Sequence, residues 1–400
     1  MMRHRMGYRT LFFALAVTIT ACRKPYDPPA IASPGSYLVV EGVINSGSDS
    51  TIIKLNHTVK LSASTSINPE LDATVSVEGD DNSRRLLVAA GKGIYFFPGL
   101  NLDVSHKYRL KIKTADNKEY ASDFVPVINS PAIDSVTYKV KSDGIDINLN
   151  THSLNNLRYY RWEYNETWIH ESDFESDYKS NGDTVLQRDR VNDGIYVCWR
   201  YSASSTITLG SSAKLAQDVI SDLPITFISR HDDRLRHRYS ILVRQYALTK
   251  DAYDFWQNLK KNTEQLGSIF DAQPSQINGN IHSLTDANDP VIGYISAGNY
   301  ATKRIYIDES TLPPWLDPLG DGCVAKPYLY VYFDKEGQGP FNQVDQYINF
   351  YKATGELQIP IDAIKPPGSP TILGYNAAPP SCVDCTLVGS NKKPDFWQSY

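Results

Sequence analysis

A cationic surplus is the first thing this sequence lacks. Its 40 Lys and Arg face 45 Asp and Glu, for a formal charge of -5. The balance turns more negative if a leader carrying Arg3, Arg5 and Arg9 is removed. A nucleic-acid partner is therefore not expected, since binding phosphate needs a concentrated basic face. Long apolar runs are missing too: beyond the leader, no segment reaches the roughly 18 uninterrupted apolar residues of a spanning helix. The 3 methionines are Met1, Met2 and Met6, so the chain after the leader has none. Nucleophile-elbow, zincin and P-loop motifs are absent, and so is any internal repeat. A glycosidase-type pair of carboxylates has no fixed spacing, so the sequence leaves that chemistry open.

What is present suits a folded β protein. The 400 residues are 41% hydrophobic and 21% charged, enough for two or three cores at roughly 150 residues per domain. The 26 Tyr outnumber the 13 Phe two to one, with 6 Trp besides. Such a balance favours strands and half-buried surfaces over helical bundles.

Residues 1–21 read as a signal peptide. Arg3, His4, Arg5 and Arg9 precede Leu11–Ile19, an apolar run too short to span about 30 Å of hydrocarbon. The run ends in Ile19-Thr-Ala-Cys22, which resembles a bacterial lipobox. Cleavage before Cys22 and acylation of its thiol and amine would tether the chain to lipid, each buried methylene contributing about 0.8 kcal/mol. The alternative is an ordinary secretory leader followed by a chance cysteine. Residues 22–35 contain Pro25, Pro28, Pro29 and Pro34 and no periodicity, the composition of a semi-rigid tether.

From Tyr37 the pattern has period two. Ala73, Val75 and Val77 share one strand face, and so do Tyr108, Leu110 and Ile112. Seven short strands within residues 36–127 predict an immunoglobulin-like β-sandwich. Leu102 and Tyr108 have the spacing of a tyrosine corner, with Val104 where a proline often stands. Val125–Pro131 reads as an interdomain crossing, because its prolines forbid central-strand pairing. Residues 128–400 then predict a larger β-rich region: Ile145, Ile147 and Leu149 alternate with polar residues, and Tyr160, Trp162 and Tyr164 alternate with Arg161 and Glu163. One prominent helix is expected near 250–262, capped by Thr249, with Ala252, Phe255, Trp256 and Leu259 on one face. A Pro/Gly-rich tail follows from Pro360.

Several motifs, in order along the chain, resemble the domain-of-unknown-function family numbered 4249. They include Leu38-Val-Val-Glu-Gly-Val-Ile44, Tyr120-Ala-Ser-Asp-Phe-Val-Pro126, Tyr160-Arg-Trp-Glu-Tyr164, Asp254-Phe-Trp-Gln-Asn-Leu259, Gly267-Ser-Ile-Phe270, Gly279-Asn-Ile281 and Val291-Ile-Gly-Tyr294. Cys382-Val-Asp-Cys385 and Lys393-Pro-Asp-Phe-Trp397 complete the set. The resemblance implies a lipoprotein of Bacteroidota, often encoded near TonB-dependent outer-membrane receptors, and it carries over no catalytic residue. In such lipoproteins acidic residues after the cysteine often mark surface export. Arg23 and Lys24 stand there instead, so the membrane face stays open.

Cys198, Cys323, Cys382 and Cys385 remain once Cys22 is set aside. A four-thiolate zinc site is one reading. An exported chain with an even count favours two disulfides, with Cys382 to Cys385 and Cys198 to Cys323 the preferred pairing. His231, Asp232, Asp233 and His237 resemble a metal cluster, but Arg230, Arg234, Arg236 and Arg238 surround them and oppose a cation. Neither metal nor cofactor is expected. Arg234, Arg236 and Arg238 would share one strand face and could meet an anionic partner. Tyr159, Tyr160, Trp162, Tyr164 and Trp168 suggest a sugar-stacking platform, with core packing the plainer reading. The expected function is an accessory or binding lipoprotein on the outer membrane, partner to a TonB-dependent transporter. An envelope glycan hydrolase using two carboxylates is the alternative.

Overall fold

The computed structural model describes residues 37–59, 67–264, 279–315, 322–350 and 357–398. The leader, Cys22 and the tether lie outside them, as does the Gly267–Phe270 motif. The fold is mainly β, and no helix among the described residues is long and apolar enough to cross a membrane.

The amino-terminal unit is two sheets around one core. In one sheet Leu38–Asn45, Thr51–His57, Ile94–Phe97 and Val88–Gly91 lie in that order. In the other, Glu119–Ser122, Lys107–Lys113, Thr74–Gly79 and Arg84–Leu86 do. Period-two alternation holds along Lys107–Lys113, where Tyr108, Leu110 and Ile112 are buried among Val75, Val77 and Ile53. The Tyr108 hydroxyl accepts from Asp103 N at 3.1 Å and donates to Asp103 O at 3.2 Å. The phenol thus closes the turn that enters its own strand.

Residues 36–127 do not finish this sandwich. Val291–Gly293 pairs in parallel with Leu38–Val40, Ala297 and Gly298 pair with Ile44 and Asn45, and Ile281–Ser283 pairs with Tyr120–Ser122. A boundary at 128 therefore omits a returning segment. That segment has two-residue and three-residue strands, too short to show a period. Asn280 splices it in: its Nδ2 donates to Ile295 O at 2.9 Å, and its Oδ1 accepts from Ile295 N at 2.8 Å. Gly279 is required beside it, because a Cβ there would lie 1.7 Å from Gly293 O.

The chain between the two visits, joined by Ala301–Asp308 just after the second, forms a second sandwich. Ile133–Val140, Gly144–His152 and Val219–Ser229 make one sheet. Val197–Ala203, Tyr159–Glu171, Arg238–Ala247 and Ala301–Asp308 make the other. Ile145, Ile147, Trp162, Tyr239 and Ile241 fill the space between them. A smaller third core gathers Val185, Val344, Ile348, Tyr375 and Ala377 beside the sheet of Lys326–Leu329, Gly374–Ala378 and Ile359–Ile364. Residues 128–400 thus hold more than one core.

The expected crossing at Val125–Pro131 has a companion. Val127 bridges to Ala297, and Ser130 N donates to Asn299 Oδ1 at 2.9 Å. Outgoing and returning segments therefore run side by side between the sandwiches. The expected helix, α1, spans Lys250–Glu264. Thr249 Oγ1 caps it by accepting from Ala252 N at 3.1 Å. Ala252 and Phe255 are buried, whereas Trp256 is only half-buried.

Candidate functional site

Strand alternation builds the site. Tyr160 and Trp162 point into the second core at 1% and 0% exposure, so Arg161 and Glu163 stand on the opposite face. Across the ladder Arg161 faces Tyr246, and Glu163 faces Arg244. Helix α1 lies over this face. The Arg161 guanidinium sits 4.0 Å from the centroid of the Trp256 ring and 4.8 Å from that of Tyr246. Its Nη1 pairs with Glu163 Oε1 at 2.7 Å, and the Tyr246 hydroxyl donates to Glu163 Oε2 at 3.3 Å. Burial, followed by the negative charge of Glu163, pushes the Tyr246 hydroxyl well above its ordinary value, so it remains a proton donor. Arg161 Nε is buried and has no hydrogen-bond partner among the described residues.

The facing wall comes from the first sandwich, where Glu41 and Lys54 are cross-strand neighbours. Between the walls lies a cleft of about 690 Å³, within the usual range of small-molecule sites. Val43, Ile52, Phe255, Leu259 and Tyr294 give it an apolar chamber. A second lobe of about 330 Å³ shares Glu41, Lys54, Arg161, Glu163 and Arg244 with the chamber and is lined beyond them by Asn165, Ser204, Ser205 and Thr206. Arg244 Nη1 donates to Asn165 Oδ1. Among the described residues Glu41, Lys54 and Arg244 form no ion pair, and Glu41 and Lys54 form no side-chain hydrogen bond. The site is mixed in charge, aromatic on one side and shaped by both units.

The sequence-level candidates lie elsewhere. Cys198 bonds to Cys385 and Cys323 to Cys382, with Cα separations of 5.6 and 5.8 Å. The preferred pairing within Cys382 and Cys385 is thus corrected. The short helix Pro380–Val383 ends between the two cysteines, so Cys382 turns to Cys323 while Cys385 lies against Val197–Ala203. There Trp199 N donates to Ser390 O at 2.8 Å and docks the tail along that strand. Asp173 approaches the sulfurs of Cys323 and Cys382, but sulfurs committed to a disulfide are not thiolate ligands.

Arg234, Arg236 and Arg238 do not form one strand face. Asp233–Leu235 is a 3-10 turn, and the strand begins only at Arg238. Arg234 pairs with Glu166 at 2.6 Å and Asp232 at 2.7 Å. Arg238 is 7% exposed and stacks on Tyr306. Two of the three are internal braces, not an open anionic docking face. Asp233 accepts from His170 Nδ1 at 2.9 Å, so the His231–His237 cluster is likewise committed to its own fold. Tyr160, Trp162 and Trp168 are buried, which makes them core.

A family model described as "Domain of unknown function (DUF4249)" matches residues 23–304. The chain belongs to this family. Comparison with curated proteins gives no match. The match ends before the disulfide-bonded cysteines of the tail, so family membership rests on the two sandwiches and the helix. Four stretches that carry the family resemblance meet at the cleft: Glu41 and Gly42, Arg161 and Glu163, Phe255 with Trp256 and Leu259, and Ile292 with Gly293 and Tyr294. Read along the sequence, Arg161 and Glu163 pass for a solvated strand face. Their one distinguishing signal is membership of those stretches.

Proposed function

We propose that this chain is an outer-membrane-anchored lipoprotein that captures a small ligand in the cleft between its sandwiches, acting beside a TonB-dependent transporter. The observation that supports this most is the convergence of four separated sequence stretches on one cleft of about 690 Å³. Sheet pairing already sets Leu38–Val40 beside Val291–Gly293, and what it does not require is that the Arg161–Glu163 and Phe255–Leu259 stretches of the second unit meet them there. The lipobox-like Ile19-Thr-Ala-Cys22 supports the anchor, and the transporter partner follows from what the family resemblance implies. Confinement to one membrane raises effective concentration, so even a weak contact with a receptor would be populated.

The hydrolase reading keeps one specific observation, since Glu41 and Glu163 line the same cleft. Glu163 is already engaged by Arg161 and Tyr246, which ranks this reading second. Gentle detergent extraction of native outer membrane and pull-down on this chain tests the choice. A co-purifying TonB-dependent barrel supports the accessory role. Recovery of the lipoprotein alone, with glycan turnover lost in Glu41→Gln, replaces it with the hydrolase. A photo-crosslinking residue at Tyr294 tests the cleft independently by whether it captures a small molecule from the native envelope.

A further inference from the structure

The geometry points to an amphipathic anion as the ligand class: an oxyanion head group, carboxylate or phosphate, held by Arg244 and Lys54, with an apolar body in the aromatic chamber. This rests on the cleft being a binding site, as proposed above. Charge within it is unevenly answered. Glu163 is neutralised by Arg161 at 2.7 Å, which leaves Lys54 and Arg244 against Glu41 alone. A lobe lined by hydroxyl and amide groups leaves such cations solvated at little cost, and they remain available to a ligand. Among the described residues Arg244 has only a neutral amide, Asn165, as its side-chain hydrogen-bond partner. A guanidinium with spare N–H donors matches an oxyanion in a bidentate way, and Lys54 adds a point charge.

Polarity is also segregated in space. Ser204, Ser205, Thr206 and Asn165 surround the cationic lobe, whereas Val43, Ile52, Phe255, Leu259 and Tyr294 line the larger chamber. A wholly polar anion would leave the chamber's apolar surface wet, and a wholly apolar ligand would strip water from two cations without replacing it. Only a molecule with both ends satisfies both lobes. Arg161 has a different duty. Clamped between Trp256 and Tyr246, it holds helix α1 over the sheet and fixes one chamber wall, so it is a positioning residue.

Isothermal titration of the full chain carrying Cys22→Ser, which removes competing acyl chains, tests this with sub-micellar probes. Octanoate and octyl phosphate should each bind at least about tenfold more tightly than octyl glucoside or octyltrimethylammonium. Arg244→Gln should erase about tenfold of the anion affinity and leave octyl glucoside unchanged. Inorganic phosphate should bind far more weakly than octyl phosphate. Equal binding of those two would remove the apolar half of the proposal, while preference between octanoate and octyl phosphate assigns the head group. Tight glucoside or ammonium binding that is lost in Trp256→Ala would overturn the ligand class and keep the cleft as a binding site. Anion affinity unchanged by both Arg244→Gln and Lys54→Gln would overturn the class outright, and so would absence of heat with every probe. Capture at Tyr294 then decides separately whether the cleft binds anything.

Discussion

One strand, Tyr159–Glu171, carries an arginine–glutamate cluster at each end, and the two are built to opposite rules. Toward its carboxyl end Glu166 is 3% exposed, and every partner is answered. Arg234 Nη1 reaches Glu166 at 2.6 Å, the Tyr239 hydroxyl donates to Glu166 at 2.7 Å, and Asp232 takes Arg234 Nη2 at 2.7 Å. Toward its amino end, among the described residues, Arg161 keeps a buried Nε without a hydrogen-bond partner, and neither Arg244 on the adjacent strand nor Lys54 and Glu41 across the cleft form an ion pair. A buried ion network with its valences filled specifies geometry. One with valences to spare is a place where something else can bind.

This contrast breaks first at Glu166. Glu166→Ala removes a buried carboxylate that accepts two hydrogen bonds, leaving the half-buried Arg234 with Asp232 alone and the buried Tyr239 hydroxyl without its acceptor, and should cost about 3–5 kcal/mol in urea unfolding. A loss under about 1 kcal/mol would mean the network is not the brace described here. Next come the disulfides. Replacing Cys323 and Cys382, 59 residues apart, with Ser should cost about 2–4 kcal/mol. Non-reducing peptide mapping should recover Cys198 linked to Cys385, and a peptide linking Cys382 to Cys385 would refute the pairing. Arg161→Met retains packing but loses the ring stacking and the Glu163 pair, for an expected loss of about 1–2 kcal/mol. Lys54→Gln and Arg244→Gln should be smallest, within about 0.5 kcal/mol, since these cations answer no carboxylate.

Acid sharpens the same comparison. Burial raises the Asp233 carboxyl, but the His170 contact, the Trp168 indole and Arg200 outweigh it and hold the group below its ordinary 3.8. A lowered folded-state value stabilises the fold above the unfolded-state value, and that contribution disappears as pH falls through the folded one. Stability should therefore decline from about pH 4 downward, and Asp233→Asn should flatten that part of the curve. An unchanged acid limb in Asp233→Asn would assign the decline to other carboxylates.

Regular local pattern was legible in the sequence, and long-range closure was not. Tyr108, Leu110 and Ile112 alternate because one sheet face is buried, and α1 announces itself through Thr249, Ala252 and Phe255. Ile281–Ser283 and Val291–Gly293 are too brief for any period, and the ladders of the first sandwich assign them their places. Arg234 to Arg238 reads as strand spacing, yet Asp232 accepts from Arg234 N at 3.0 Å and forces a turn. For the cleft, sequence marks the stretches but not their meeting, because its walls come from residues more than a hundred positions apart. The cysteine pairing fails for the same reason.

The returning segment also governs the order in which the protein can be completed. Leu38–Val40 acquires its parallel neighbour only when Val291–Gly293 exists, and Arg238–Gln245 acquires its last strand from Ala301–Asp308. One short run, Ile281–Asp308, thus supplies the final strands of both sandwiches. Until it emerges during synthesis, each waits with an open edge of the kind that invites pairing with a neighbouring chain. Once it arrives, both close together, so the two sandwiches should melt in a single transition despite having separate cores.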